Sequence, residues 1–263
     1  AGEGSRRKGR GGATRRPSPA GGGGSVDHLA RCMTPAPLHL GAERFMLDPA
    51  GLLAWPARRT LVVADLHLEK GSAFAARGAG LLPPYDTRET LSRLHLALRR
   101  WRPTRLVALG DSFHDRAGAS RLAADDAAQL RRMLDGIETR WILGNHDPEA
   151  PAALPGTAAA EWREGGVLFR HEARPGPVAG VEISGHFHPK ATMPTRCGGV
   201  TRPCFVTDGR GRLILPAFGA YTGGLDAGDP AIAALLPRGG RAFLLGRDRL
   251  YALPLAGRRA RAG

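Results

Sequence analysis

Five short clusters of Asp, Asn and His residues are the part of this 263-residue sequence whose types and spacing could do chemistry. Each cluster follows a short apolar run that is typical of a buried strand. In chain order the clusters read Asp65-Leu66-His67, Gly110-Asp111, Gly144-Asn145-His146-Asp147, His171 and Gly185-His186-Phe187-His188. Carboxylate, amide and imidazole donors together suit Mn, Fe, Zn or Ni better than Ca, which prefers oxygen ligands alone. We therefore predict a site for divalent metal ions, with Mn favoured over Mg.

Seven residues of these clusters carry metal-binding side chains, namely Asp65, His67, Asp111, Asn145, His171, His186 and His188. Seven donors are too many for one four-coordinate zinc ion and enough for two ions that share a carboxylate, for which Asp111 is the natural bridge. Two adjacent ions can activate a water molecule, neutralise phosphoryl oxygens and hold a phosphate ester for in-line attack. That chemistry benefits from a proton donor near the leaving oxygen, and His146, beside Asn145, is well placed for it. The constellation predicts metal-dependent hydrolysis of a phosphate ester.

The backbone at the clusters is expected to be extended. Extended backbone puts residues i and i+2 on the same side, so Asp65 with His67, and His186 with His188, can each present two donors to one small volume. Glycines in the clusters would let the backbone turn tightly beside the metal ions, although ordinary turns use glycine as well. These glycines are Gly110, Gly144 and Gly185.

Short strands that alternate with helices must position the clusters. The apolar runs that read as buried strands are Thr60 to Ala64, Leu106 to Leu109, Trp141 to Leu143, Val167 to Phe169 and Val181 to Ile183. Asp86 with Glu89 predicts a capping box at the start of one helix, and a second helix is expected from Ser120 to about Leu134. Because the carboxyl ends of strands in layered α/β folds converge on one crevice, we expect an α/β fold in which the clusters meet.

The composition and the two ends of the chain predict the domain organisation. The formal net charge is +14, and because 35 of the 38 basic residues are Arg, it permits a polyanionic partner without identifying one. We predict one globular domain over residues 36–257, between a disordered basic Gly/Pro/Arg-rich tail at 1–35 and a short basic tail at 258–263. Residues 1–25 could be an arm that clamps DNA, a solvated tail or the product of an upstream start-codon error. Three cysteines without a CxxC pair, and no apolar run that could cross a membrane or form a signal core, predict a cytoplasmic protein.

The order D-x-H, GD, GNHD, H and GHxH, from Asp65 to His188, is similar to the signature of the calcineurin-like metallophosphoesterases. This resemblance implies a single-domain, four-layer α/β/β/α sandwich with the metals at its edge, and His146 as the catalytic imidazole. It implies one ion held by Asp65, His67, Asp111 and His188, and another held by Asp111, Asn145, His171 and His186.

The second cluster departs from the common GDxxD pattern, since it continues as Ser112-Phe113-His114-Asp115. The extra residue leaves the role of Asp115 open. His114 could support a ligand, touch the substrate or be structural.

Six longer segments resemble the bacterial ligase-associated DNA damage response endonucleases. They cover residues 64–71, 80–87, 110–115, 144–148, 185–190 and 216–225. The resemblance implies Mn-supported cleavage of phosphodiester bonds, with single-stranded DNA favoured, in a repair context that includes a DNA ligase, a helicase and a second nuclease.

Candidates for binding the substrate are His114, Lys190 and Tyr221. Further basic residues near the clusters in sequence are Lys70, Arg77 and Arg202. The aromatic residues Tyr85, Phe187, Phe218 and Tyr221 could stack on unpaired bases. Packing in the core is the preferred interpretation of these aromatic side chains.

Two other functions remain open on the sequence alone. A phosphatase or phosphodiesterase that acts on a nucleotide or another small phosphoester would use the same metal site with different cleft walls. A non-enzymatic adaptor would keep the fold, but such proteins usually lose a ligand or the catalytic His, and here none is missing.

Overall fold

The computed structural model describes residues 1–2, 33–78, 85–149, 151, 154–196 and 198–257. Nearly all of the predicted tail at 1–35, the predicted tail at 258–263 and most of the segment 80–87 lie outside the described residues. Within the described residues, no helix is long and apolar enough to cross a membrane.

Strands of the described chain form two sheets. The first sheet follows chain order and contains β1 (Ala36–Leu40), β2 (Glu43–Asp48), β3 (Leu52–Trp55), β4 (Thr60–Ala64), β5 (Arg105–Leu109), β6 (Glu138–Ile142) and β7 (Thr157–Ala159). The strands of the second sheet are β8 (Glu161–Glu164), β9 (Val167–Arg170), β10 (Val181–Ser184), β11 (Lys190–Thr195), β12 (Gly198–Thr207), β13 (Arg212–Ile214), β14 (Gly240–Leu245) and β15 (Leu250–Leu255). Its order is β15-β14-β12-β13-β10-β9-β8, and β11 pairs with β12.

Helices cover the outer faces of both sheets. They are α1 (Lys70–Ala76), α2 (Asp86–Trp101), α3 (Gly118–Arg121), α4 (Ala124–Leu134) and α5 (Pro230–Leu235). On β4, Val62 packs between the two sheets, whereas Leu61 and Val63 pack with the helices outside, because successive side chains of a strand point to opposite faces. Ile232 and Leu235 of α5 pack on the outer face of the second sheet. The four-layer α/β/β/α sandwich is therefore confirmed.

Strand register brings the carboxyl ends of the predicted strands to one edge. The parallel strands β4, β5 and β6 pair so that Ala64 lies opposite Leu109, and Leu109 lies opposite Ile142. In the second sheet β9 and β10 are also parallel, with Phe169 opposite Ile183. Both faces of these strands are buried, which explains why their sequences are continuous apolar runs.

The predicted capping box at Asp86 and Glu89 is wrong. Tyr85 is the N-cap of α2, and no side chain caps this helix. The carboxylate of Asp86 instead accepts hydrogen bonds from the backbone N–H groups of Lys70, at 2.8 Å, and Gly71, at 3.1 Å. Asp86 thus satisfies free donors at the start of α1 and joins the two helices.

The second predicted helix is interrupted. Helix α3 ends at Arg121, Leu122 has φ −57° and ψ 121°, and α4 begins at Ala124. Apolar spacing continues across this break, so periodicity alone predicted one helix where the backbone forms two.

Candidate metal centre

The seven predicted metal ligands lie together at the carboxyl edge of the strands. Two groups of three have ligand atoms within 4.8 Å of one another: Asp65 with His67 and His188, and Asp111 with His171 and His186. Asn145 joins the second group, since its Oδ1 lies 2.9 Å from His171 Nε2 and 3.1 Å from His186 Nδ1. The structure therefore brings together side chains that are spread over 124 positions, from 65 to 188.

One buried carboxylate, that of Asp65, connects the two groups, while that of Asp111 lies within the second. Asp65 Oδ1 lies 3.4 Å from His188 Nε2 and 3.6 Å from His171 Nδ1. Asp111 Oδ2 lies 3.3 Å from His171 Nε2, and both carboxylate side chains are almost fully buried. A shared carboxylate between two ions is the arrangement that binuclear hydrolytic sites use.

The backbone of the ligands is left-handed rather than extended, which corrects the sequence-based expectation. The ligands with positive φ are Asp65 (54°), His67 (43°), Asp111 (43°), His186 (69°) and His188 (45°). Each non-glycine residue in this region costs about 1 to 2 kcal/mol. Hydrogen bonds between turns stabilise this left-handed backbone. The His67 N–H donates to the Asp111 carbonyl at 2.9 Å, and the Asp65 N–H donates to the Gly110 carbonyl at 3.2 Å. His186 and His188 consequently belong to different groups.

Three glycines let ligand side chains approach the backbone of a neighbouring turn. A Cβ added at Gly110 would overlap the His171 ring, one at Gly144 would overlap the Asp111 carboxylate, and one at Gly185 would overlap that of Asp65. Of the three, only Gly110 has a positive φ, of 74°. Close packing of ligands, more than tight turning, therefore accounts for these glycines.

The protonation states of His67, His186 and Asp111 fit a metal site, whereas for His171 the effect of burial is outweighed by the hydrogen bond to Asp111 and the charges of Asp65 and Asp111, which raise its pKa. Burial, together with the neighbouring His188, lowers the pKa of His67 to about 3, and burial lowers the pKa of His186. Burial opposes ionisation of Asp111, but the hydrogen bond and charge of His171 hold its pKa at about 2. Neutral imidazoles and an ionised carboxylate are the forms that bind a metal.

The distances between imidazole nitrogens indicate whether a metal ion fits between the rings. His67 Nε2 lies 3.3 Å from His188 Nε2, and His186 Nδ1 lies 3.1 Å from His171 Nε2. Two nitrogens bound to one ion at about 2.1 Å each are separated by about 3.0 to 3.4 Å. The donor set and these contacts therefore fit divalent metal ions between the rings.

His146 lies beside the metal groups and is partly open to solvent. Its backbone N–H donates to Asp111 Oδ1 at 2.9 Å, and its ring Nδ1 lies 2.8 Å from the carbonyl oxygen of His114. A carbonyl oxygen only accepts, so Nδ1 carries the proton. The other nitrogen, Nε2, lies 3.9 Å from Asp111 Oδ2, and 40% of the side chain is exposed.

His114 extends the cluster of imidazoles. Its ring stacks on that of His146, with centroids 5.4 Å apart, and also contacts the rings of His67 and Phe74. Burial, and then the charge of Lys70, lower the pKa of His114. His67, His114 and His146 have ring nitrogens within 4.8 Å of one another.

Neighbouring acidic residues in the same motifs have other partners. Asp115 pairs with Arg121 at 2.8 Å and with Arg77 at 3.3 Å. Asp147 accepts hydrogen bonds from the backbone N–H groups of Phe113 at 3.1 Å and Gly144 at 3.2 Å. Asp147 thus joins two ligand-bearing turns, and burial raises its pKa to about 6. Sequence reasoning missed this role because both donors are backbone N–H groups, and that of Phe113 belongs to another segment, 34 positions away.

The predicted substrate-binding residues divide into buried and exposed side chains. Phe187 and Phe218 are buried and pack in the core, as preferred from the sequence, whereas Tyr85 and Tyr221 are 60% and 52% exposed. Lys190 Nζ lies 3.4 Å from the Thr222 carbonyl oxygen. The exposed aromatic rings are therefore available to a ligand.

Comparison with solved structures identifies the class of protein. The chain is similar to the nuclease MPE of Pseudomonas putida, with 28% identity and a TM-score of 0.67 over 84% of this chain and 100% of that one. Together with the two-sheet fold and the grouped donors, this likeness is consistent with a member of the calcineurin-like metallophosphoesterase superfamily. The protein is a metal-dependent hydrolase of phosphoester bonds.

Other comparisons are weaker. The chain also matches the phosphoesterase Yfce of E. coli, with 14% identity and a TM-score of 0.37 over 74% of this chain and 98% of that one. No model of a protein family matches the chain, and no curated protein does.

Proposed function

We propose that this enzyme is a phosphodiesterase and endonuclease that cleaves DNA with two divalent metal ions, Mn being favoured. The observation that carries the proposal is the convergence of seven donors into two groups, which Asp65 connects by lying 3.6 Å from His171. The likeness to nuclease MPE supports nucleic acid as the substrate. Fe, Zn, Ni or Mg could replace Mn at such a mixed N and O site.

Each group would hold one ion. Asp65, His67, Asp111 and His188 are proposed for the first ion, and Asp111, Asn145, His171 and His186 for the second. When bound, such ions supply an activated water molecule and neutralise the phosphoryl oxygens. Asp111 is proposed as the shared ligand because its Oδ2 lies 3.3 Å from His171 Nε2 in the second group, and its backbone carbonyl accepts a hydrogen bond from the His67 N–H in the first.

His146 is proposed as the catalytic imidazole. The His114 carbonyl fixes the proton on Nδ1, so Nε2 is the atom that faces the metal groups. From this position Nε2 can hydrogen-bond to a phosphoryl oxygen or pass a proton to the leaving oxygen. The partial exposure of the ring allows a long substrate to reach it.

A repair context is proposed on the resemblance of the longer segments to ligase-associated endonucleases. It comprises a cytoplasmic enzyme that prefers single-stranded DNA and works with a DNA ligase, a helicase and a second nuclease. Two exposed tyrosines, Tyr85 and Tyr221, support unpaired bases as ligands, since aromatic rings stack on bases of any sequence.

A small phosphoester is the second candidate substrate. A cavity of about 320 Å³ adjoins Asn145 and His171. Its charged lining consists of Arg170 and Arg174, of Glu161, with which both arginines pair, and of Glu172. Its volume is near the lower end of sites for small ligands. A nucleotide could occupy this cavity with its phosphate at the metal groups.

Turnover of four substrates with Mn separates the two candidates. Single-stranded DNA, duplex DNA, bis-p-nitrophenyl phosphate and p-nitrophenyl phosphate are compared, with a chelator as the metal-free control. We expect cleavage of single-stranded DNA and of the diester, and loss of both with chelator. Turnover of the monoester alone would reject DNA as the substrate and favour the small phosphoester.

A further inference from the structure

A loop at residues 218–225, named here the Tyr221 loop, connects the first and the last ligand-bearing turns. At its start, the N–H groups of Phe218 and Gly219 donate to the carbonyls of Ala64 and Asp65, at 2.8 and 3.0 Å. At its end, Leu225 N–H donates to the Phe187 carbonyl at 3.2 Å. The loop is thus fixed at both ends to the backbone that carries the metal ligands.

Two glycines allow this loop to pack closely against the ligand-bearing turns. A Cβ at Gly219 would overlap the Leu66 carbonyl oxygen, and one at Gly224 would overlap the His188 carbonyl oxygen. Both ends of the loop therefore pack closely against the turns that carry the metal ligands.

Tyr221 occupies the middle of the loop in a costly backbone conformation. Its φ is 57°, in the left-handed region, and its side chain is 52% exposed. Left-handed backbone costs a non-glycine residue about 1 to 2 kcal/mol, and a half-exposed ring recovers only part of that by burial. Stability of the folded chain alone does not account for a tyrosine at this position.

Two lysines from different ligand motifs hold the Tyr221 loop. Lys70, three residues after His67, donates through Nζ to the Tyr221 carbonyl at 2.8 Å. Lys190, two residues after His188, lies 3.4 Å from the Thr222 carbonyl. Both ammonium groups therefore lie at adjacent peptide units of one loop.

Neither lysine is neutralised by a close carboxylate in the described part of the chain, where no acidic oxygen lies within 4.0 Å of either Nζ. The pKa of Lys70 is lowered by burial and by the charge of Lys190, although Asp86 opposes this. Two like charges held near the ligand-bearing turns, neither in direct contact with a carboxylate of the described residues, form a site suited to a phosphate group.

We propose that the Tyr221 loop is the wall that binds an unpaired nucleotide next to the scissile phosphate. In this arrangement the Tyr221 ring stacks on the base, and Lys70 and Lys190 neutralise the neighbouring backbone phosphate. The inference rests on the proposed DNA phosphodiesterase function and adds the residues that recognise single strands. Base stacking and a charged track along the backbone are the two features that single-strand binding requires.

The stacking role is tested with Tyr221→Gly, Tyr221→Phe and a control, Tyr251→Ala. Glycine tolerates the positive φ, phenylalanine keeps the ring, and Tyr251 is 44% exposed on the edge strand β15. The kcat/KM is measured on a single-stranded oligonucleotide, on the same backbone without bases and on bis-p-nitrophenyl phosphate. We expect Tyr221→Gly to lose about tenfold more on the oligonucleotide than on the small diester. Tyr221→Phe should restore most of that loss, and the oligonucleotide without bases should lose less.

The charge role is tested with Lys70→Met and Lys190→Met. Each variant should make the plot of log(kcat/KM) against log salt shallower by about 0.7 on the oligonucleotide, because one phosphate contact is removed. Equal losses on the oligonucleotide and the small diester, or unchanged salt slopes, would overturn the inference while the proposed function stands. Failure of the unaltered enzyme to cleave DNA would overturn both.

Discussion

The ring Nδ1 of His146 and the backbone carbonyl oxygen of His114 lie 2.8 Å apart, so the second ligand motif fixes the orientation of an imidazole that belongs to the third. The contact keeps the proton on Nδ1 and leaves Nε2 beside the metal groups. Because the acceptor is a backbone atom, this hydrogen bond does not require a particular side chain at position 114, while the stacked His114 ring adds a second contact to the imidazole.

Replacing His146 with Ala tests its role. We expect a loss of about 100-fold to 10,000-fold in kcat on a phosphodiester, because proton transfer or charge stabilisation at the leaving oxygen is removed. Bound Mn, measured by elemental analysis, should remain close to that of the unaltered enzyme. The control is His95→Ala, since His95 is exposed on α2. Full activity in His146→Ala would contradict the assignment.

Asp111→Asn tests the shared carboxylate. The side chain keeps its shape but loses the charge that both groups use, so fewer than two Mn ions per chain and a loss of at least about 100-fold in activity are expected. Asp115→Asn is the matched control in the same motif, because Asp115 pairs with Arg77 and Arg121. An Asp111→Asn enzyme with two bound ions would show that the carboxylate is not shared.

Gly144→Ala tests the close approach of the third turn to Asp111. The added methyl group would overlap the Asp111 carboxylate and displace it, so metal content should fall while far-UV circular dichroism remains that of a folded protein. Gly209→Ala is the control: its φ is 69°, but a Cβ there meets nothing within 4 Å. That variant should lose about 1 kcal/mol of stability and keep its metal. Normal metal binding by Gly144→Ala would show that the turn at position 144 can shift to accommodate the added methyl group, which would contradict the prediction.

Asp147→Ala tests the bridge between two turns. The change leaves the N–H groups of Phe113 and Gly144 without their acceptor, and each such group costs about 1 to 3 kcal/mol when buried. Urea unfolding of the metal-free protein should show a loss of about 2 to 6 kcal/mol. Asp147→Asn retains one acceptor oxygen and should lose less. Equal losses in both variants would point to the charge rather than the hydrogen bonds.

The strands and the meeting of the clusters were predictable because they follow from local patterns. Continuous apolar runs such as Thr60–Ala64 indicate strands buried on both faces, and parallel strands place their carboxyl ends at one edge. The left-handed backbone of Asp65 and His67 was not predictable, because hydrogen bonds from a distant turn hold it.

The long-range contacts of the Tyr221 loop could not be predicted from the sequence either. Lys70 and Tyr221 are 151 positions apart, and no periodicity links them. The capping box at Asp86 was wrongly predicted for the same reason, because the Asp86 carboxylate accepts hydrogen bonds from the backbone of another helix. Patterns that predict elements therefore do not predict which polar groups of different elements meet.

Each of the two donor groups draws its members from both sheets. His188 follows β10 of the second sheet and meets Asp65 after β4 of the first, while His171 after β9 meets Asp111 after β5. An ion held in either group would cross-link the sheets at their shared edge. Neither sheet could then separate from the other without releasing metal, so cation loading should raise the unfolding temperature of the whole domain.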